Sequence, residues 1–421
     1  MIGVASQHVY DAPWLMVPTG VVLALTVIAA NELADAIAGK AAGEQAPARR
    51  KRRQASRIVA QPRSADAIAA DPPPIGTAPV LDVRDLTVAV DDGPALVTGV
   101  SFQLGAGRVL GLVGESGCGK TMTARALIGL LPDGVSISGG SIGWQGSDLV
   151  GLSDNELRTI RGREIAMISQ EPMVALDPMF SVAHQLTGPI QRFRGVGRGE
   201  ARGIAVDLLN QVGIVDSERV LKSYPHQLSG GMAQRVAIAL ALTGQPKLLI
   251  ADEPTTALDV TVQAEILSLL RALVRDTGLS VLIVSHDLGV VADICDDIAV
   301  MYAGQVVESG AATAMLDDPQ MPYTMALLAA NPHVPEGEPI PERLASIPGS
   351  VPAPADWPTS CRFASRCQFA APECDVPIPL FSAHGTGSVR CVRVDEIHRA
   401  HLAWEAEPVG AELAPDAGVV S

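Results

Sequence analysis

Residues 80–320 predict an α/β domain built on a largely parallel sheet, and three observations carry that expectation. Short apolar runs, among them VLGLV (109–113), LLIAD (248–252) and SVLIVS (280–285), each lead into a longer amphipathic segment. Such alternation is the pattern of strands joined by helices. A glycine-rich stretch comes directly after the first of these runs, and a pair of carboxylates directly ends the second.

Ahead of that domain the chain falls into two parts. Residues 12–30 pass nineteen positions without a charge, about the length of a membrane-spanning helix. No Lys or Arg precedes them, while RRKRR comes after them at 49–53. A cleaved leader would want positive charge in front, and positive charge behind favours a cytoplasmic side for the rest of the chain. Pro13, Pro18 and Gly20 leave a buried core helix as the alternative. Residues 1–37 are therefore expected to hold a transmembrane helix. Residues 38–79, rich in Ala, Pro, Arg and Asp without periodicity, are expected to be a flexible linker.

Regular patterning begins with VLDVRDLTVAV, which alternates as a strand, and VTGVSFQL, which reads as a second. The sequences IAVMYAG and QVVESG read as antiparallel strands that close the core. Beyond Tyr323 proline and polar residues dominate, and a loop-rich segment holding four cysteines begins near Ile340. The division expected is thus 80–320 for the core, 321–400 for a cysteine domain and 401–421 for a tail. No repeat is visible at a period of about 20–50 residues, so there is one such core.

At 421 residues the chain has room for two to three domains. A net charge of −15 and only 3% aromatic residues argue against a dedicated nucleic-acid binder, the RRKRR run notwithstanding.

The stretch Gly114, Glu115, Ser116, Gly117, Cys118, Gly119, Lys120, Thr121 fits G-x-x-x-x-G-K-[ST] between a strand and a helix. Its glycines let backbone N–H groups close around phosphate oxygens, helped by the helix N-terminus. Lys120 would reach the β- and γ-phosphates of ATP, and Thr121 would ligate Mg²⁺. Asp252, delivered by the strand LLIAD, would hold the same Mg²⁺ through a water, and Glu253 would polarise the attacking water. A second glycine-rich helix start, Leu228, Ser229, Gly230, Gly231, Met232, offers another set of backbone amides and a hydroxyl. One nucleotide does not need two phosphate loops. The second makes sense facing a γ-phosphate held by another subunit.

With these motifs in this order, residues 80 to about 310 resemble the nucleotide-binding subunits of ABC transporters. The resemblance implies two modules head to tail, with ATP between the phosphate loop of one and Ser229–Gly231 of the other. It implies that Gln170 senses Mg²⁺ and the attacking water and couples to the membrane subunits. It further implies that Asp259 lies at the dimer interface and that His286 contacts the γ-phosphate. A helical subdomain that docks on the permease is expected over about 171–235. The aromatic residue that the family stacks on adenine would fall at Val90, and 80–96 contain no aromatic residue at all.

The sequences LSGGMAQR, QEPMVALDP, PYTMALLAA and SIPGSVP resemble the ATPases of dipeptide and oligopeptide importers, as does the cysteine-bearing tail. The N-terminal PWLMVPTGVVLALTVIAANELADAI resembles the last helix of a dipeptide permease subunit. The implied assembly has two permease subunits, a second ATPase subunit and an extracytoplasmic peptide-binding protein. It would sit at the cytoplasmic membrane with its catalytic domain on the cytoplasmic side. Competing functions are a non-transport ATPase of DNA repair or translation, an idle scaffold subunit, and an importer of nickel or another small solute.

Cys361, Cys367, Cys374 and Cys391 are separated by five, six and sixteen residues. Disulfides do not suit a reducing compartment, and the paired C-x₂₋₄-C spacing of structural zinc is absent. An iron–sulfur cluster accepts thiolates from irregular loops, so cluster, zinc and no metal all stand on spacing alone. The resemblance to peptide importers implies a four-iron (4Fe-4S) cluster. Arg362 and Arg366 read as solvated surface arginines, with offsetting of cluster charge as the alternative. Cys295 reads as core packing within a helix, and Cys118 matters through its backbone.

Overall fold

The computed structural model describes residues 79–256, 258–330, 346–383 and 387–400. The apolar N-terminal run, the basic run, the linker and residues 401–421 lie outside the described residues. Among those described, no helix is long and apolar enough to cross a membrane.

The described strands are β1 (Leu81–Val90), β2 (Ala95–Leu104), β3 (Val109–Val113), β4 (Val135–Trp144), β5 (Ser147–Asp148) and β6 (Ile165–Ile168). They continue with β7 (Leu248–Asp252), β8 (Ser280–Ser285), β9 (Asp297–Tyr302), β10 (Gln305–Ala311), β11 (Phe381–Ala383) and β12 (Gly387–Val389). A four-stranded antiparallel sheet has the order β2-β1-β4-β5. An eight-stranded sheet has the order β11-β12-β10-β9-β3-β8-β7-β6. In it β6, β7, β8, β3 and β9 run parallel, while β10 returns antiparallel to β9.

The central strands are apolar at nearly every position because both of their faces are covered. On β3, Val109 and Val113 join one core and Leu110 and Leu112 the other. Leu249 and Ala251 against Leu248 and Ile250 divide β7 in the same way. One core packs the sheet against helices, and the second packs it against β1, β2 and β4. Each fully buried Leu, Ile or Val is worth about 1.5–3 kcal/mol relative to exposure, so these strands form a rigid floor for the loops at their ends.

Between β6 and β7 the chain forms an all-helical insertion, with helices Val182–Arg194, Arg198–Gln211, Ser217–Lys222 and Gly230–Ala241. Its apolar stripe, Leu186, Ile190, Ala201, Ala205 and Leu209, is fully buried. The segment after residue 345 contains three short 3-10 turns, Pro354–Asp356, Ala364–Arg366 and Pro372–Asp375. It also supplies β12, which pairs with β10 and so extends the main sheet. Cys295 and the two arginines sit otherwise than their sequence context suggests. Cys295 is buried but caps the end of the helix Leu288–Ile294, outside it. Neither arginine is solvated: Arg362 stacks over Trp357 at 4.3 Å and donates to the Ala303 carbonyl, and Arg366 is buried.

Candidate active site

Because β6, β7, β8 and β3 are adjacent and parallel, the residues just past their C-terminal ends converge along one edge of the sheet. Gln170 comes after β6, Asp252 ends β7 with Glu253 next, His286 comes after β8 and the glycine-rich loop after β3. Four sequence-distant segments are brought together by strand order alone.

The loop 114–119 leads into the helix Lys120–Leu127. Gly114 has φ 156°, and a Cβ there would lie 2.1 Å from the Met301 carbonyl oxygen, so only glycine fits. Gly119 holds the left-handed N-cap position at φ 99° and offers no side chain to the helix N-terminus. The first-turn amides are therefore not capped by a side chain, which suits an incoming anion. Lys120 is buried and its Nζ donates to the carbonyls of Gly114 at 2.6 Å and Glu115 at 2.9 Å, closing the loop on itself. Burial pushes the Cys118 thiol above its ordinary pKa, which keeps it neutral beneath the loop.

Thr121 Oγ1 lies 3.2 Å from Asp252 Oδ1. Asp252 is only 3% exposed, and burial raises its pKa, with the neighbouring Glu253 adding to that rise and the Thr121 hydrogen bond opposing it. A hydroxyl and a buried carboxylate side by side fit a small divalent cation of the Mg²⁺ type, which takes one or two protein oxygens and keeps its waters.

Glu253 adopts φ 48°, uncommon outside glycine, and its N–H is fixed to the Val284 carbonyl at 2.9 Å. Three side chains surround its carboxylate. Gln170 Nε2 donates to Oε2 at 3.0 Å, Thr256 Oγ1 donates to Oε2 at 2.9 Å, and His286 Nδ1 stands 3.2 Å from Oε1. Such a carboxylate has its geometry fixed and one oxygen edge toward an imidazole that is 56% exposed. It can orient a water and accept its proton. Thr256 was not foreseen from the sequence, although its place three residues after Glu253 in a turn was the available signal.

Ser229 caps the helix Gly230–Ala241, its hydroxyl accepting from the Met232 N–H at 3.3 Å. Ser229 and Gly230 are exposed, and among the described residues nothing in Leu228–Met232 hydrogen-bonds to the phosphate loop. Asp259 is likewise exposed and caps the helix Val260–Thr277 through the Val262 N–H at 2.9 Å.

The four C-terminal cysteines line one pocket together with Phe363, Ile378 and Arg393. None is in a disulfide. Burial lifts the Cys367 thiol to about 12 and Cys391 to about 11, and Cys361 is raised for the same reason. The Arg393 N–H donates to Cys391 Sγ at 3.4 Å. Among the described residues no three His, Cys, Asp or Glu side chains are close enough to hold a single metal ion. A tetrahedral zinc would draw its sulfurs to within about 4 Å of one another, so these thiols fit a single ion poorly.

Comparison with known proteins agrees with the geometry. The family model described as ABC transporter matches residues 97–256, and the one described as oligopeptide/dipeptide transporter, C-terminal region, matches 307–374. A putative peptide import ATP-binding protein of Brucella abortus is 46% identical over 325 residues, covering 75% of this chain and 95% of the relative. An oligopeptide transport ATP-binding protein of Bacillus subtilis is 45% identical over 302 residues, covering 71% and 91%. Among solved structures, cbiO1 from Clostridium perfringens, part of an ABC transporter complex, aligns with TM-score 0.52 at 27% identity. That alignment covers 57% of this chain and 92% of the other. A dimeric ATP-binding cassette in a post-hydrolysis state with ADP and Pi aligns with TM-score 0.50 at 27% identity, covering 55% and 98%. The chain belongs to the ATP-binding subunits of the ABC transporter family, in the group that carries the oligopeptide/dipeptide transporter C-terminal region.

Proposed function

We propose that this chain is the ATP-hydrolysing subunit of an importer that moves dipeptides or oligopeptides across the cytoplasmic membrane. The observation that carries the reading is the corner at the sheet edge, where Gln170, Thr256 and His286 surround the Glu253 carboxylate next to a phosphate loop. Lys120 and the amides of 116–121 bind the β- and γ-phosphates. Thr121 and Asp252 would hold Mg²⁺, which screens phosphate charge when bound. Glu253 takes the proton of the attacking water, Gln170 keeps the carboxylate aimed, and His286 contacts the γ-phosphate. Glu253 keeps its strained backbone because it directly follows β7 and its N–H is tied to Val284 of β8.

Hydrolysis requires two modules. Leu228–Met232 serves the nucleotide bound by the partner, whether identical or a sister subunit, and Asp259 lies at that interface. The reading is supported by Ser229 and Gly230 being exposed, with the Ser229 hydroxyl engaged only in its own helix cap. Two permease subunits dock on the helical insertion at 171–235. Exposed apolar side chains at Val174 (76%) and Met179 (78%), close in sequence to Gln170, suit that contact. An extracytoplasmic binding protein delivers the peptide, and the apolar N-terminal run, which lies outside the described residues, would be a permease-like segment.

Cys361, Cys367, Cys374 and Cys391 would hold a four-iron cluster, which would cross-link the short turns of the segment 321–400. One thiolate per iron suits a pocket whose sulfurs do not converge on one point. Iron, sulfide and zinc analysis of the purified protein checks this. Four irons with matching sulfide are expected, and zinc without iron would overturn the assignment.

The transport reading is tested by reconstituting the chain with its permeases and binding protein in vesicles. ATP hydrolysis stimulated by a peptide-loaded binding protein is expected. Hydrolysis indifferent to peptide but stimulated by nucleic acid would overturn it.

A further inference from the structure

The phosphate loop contains a carboxylate, Glu115, at a place that must receive a polyanion. Its charge is met from the far end of the chain. Arg366 donates through Nη1 and Nη2 to both Glu115 carboxylate oxygens, at 2.7 and 2.9 Å, across a sequence separation of 251 residues. The Arg366 side chain is 4% exposed, and its Nε donates to the Pro348 carbonyl at 2.6 Å. A second contact comes from the same direction: the Glu115 N–H donates to the Tyr323 hydroxyl at 2.9 Å.

These residues stand on an aromatic cluster in a chain with only four tyrosines and six phenylalanines. Tyr302 and Tyr323 lie 4.6 Å apart between ring centroids, and Phe363 packs at 5.2 Å from each. Phe363 also forms part of the wall of the thiol pocket, and Arg366 lies between Cys361 and Cys367 in the turn Ala364–Arg366. The aromatic cluster therefore links the wall of the pocket to the phosphate loop.

We infer that Arg366, carried by the cysteine-bearing segment, is a positioning residue of the nucleotide site: its bidentate pair neutralises and fixes Glu115 so that the loop accepts ATP. The physical reason is charge. An unpaired carboxylate within the loop repels the triphosphate, and a two-pronged arginine removes both that repulsion and the freedom of the loop's second residue. A merely structural pair would make every variant bind ATP less well. Charge neutralisation instead orders the variants by net charge at the pair.

The inference rests on the phosphate loop binding ATP, so ATP binding by the unmodified full-length chain is the control. Failure of that control counts against the proposed function and not against Arg366. Equilibrium ATP binding is then measured for Arg366→Gln, Glu115→Gln and the double variant. Arg366→Gln is expected to weaken ATP about tenfold, with the hydrolysis rate at saturating ATP nearly unchanged. Glu115→Gln should bind ATP as tightly as the unmodified chain or more tightly, and the double variant should recover to within about twofold of it. A double variant as weak as Arg366→Gln alone would overturn the inference, as would unaltered binding by Arg366→Gln. Should Arg366→Gln fail to fold, Glu115→Gln alone decides, because weakened ATP binding there has the wrong sign for charge neutralisation.

Discussion

The chain builds two glycine-rich helix starts and treats them in opposite ways. At 114–121 the loop is held from beneath: Lys120 is buried against its carbonyls, and Tyr323 and Arg366 hold Glu115 from behind, while Ser116 and Gly117 stay exposed. The helix N-cap there is a left-handed glycine with no side chain to offer. At 228–232 the helix is capped by its own Ser229 hydroxyl, and Ser229 and Gly230 face outward. The first is finished within one chain. The second lies exposed, as a site completed by another subunit would have to be.

Breaking the first helix start should cost the most. Lys120→Ala removes the one ammonium inside the loop, and ATP affinity is expected to fall by roughly a hundredfold or more, read by equilibrium binding. Gly230→Asp breaks the second without touching the first. A Cβ at Gly230 would meet only Leu258 Cδ2, at 3.7 Å, so the side chain fits. A carboxylate at a helix start is favourable for the helix but repels a phosphate. ATP binding to the chain's own loop should persist, while hydrolysis by the paired modules drops about a hundredfold. Equal loss of both would mean that the two starts are not separate in function.

Two smaller effects sharpen the contrast. With Val90 where the family resemblance would put an aromatic residue, a base held by apolar contact alone should leave ATP and GTP binding within about threefold of each other. A strong ATP preference in competition binding would contradict this. Asp259→Ala deletes a helix cap and should lower stability by about 1 kcal/mol, measured by denaturant unfolding.

The core was legible because its signals are local. The runs at 109–113, 248–252 and 280–285 are short and apolar, and the residues that matter come immediately after them, so strand ends and chemistry could be read together. Glu253 could be singled out from the end of its strand, Gln170 and His286 only through the family resemblance, and parallel strand order then brings the three together. What could not be read are pairings without a periodic signal. Arg366 looks like any surface arginine until the fold sets it against a residue 251 positions away. Tyr323 sits in an apolar helix start, Pro322–Ala329, whose hydroxyl partner lies 208 positions back. The cysteine segment likewise carries Cys367 and Cys374 on or beside single 3-10 turns, whose placement depends on tertiary packing and on β12 joining β10.

The most direct test of the account is Glu253→Gln, with ATP binding and ATP turnover measured on the same preparation. The amide keeps the shape of the side chain and removes the acceptor of the water's proton. Turnover is expected to fall by roughly a thousandfold while ATP is still bound, with modules accumulating as nucleotide-loaded pairs. Undiminished hydrolysis by that variant would show that this carboxylate does not drive the reaction.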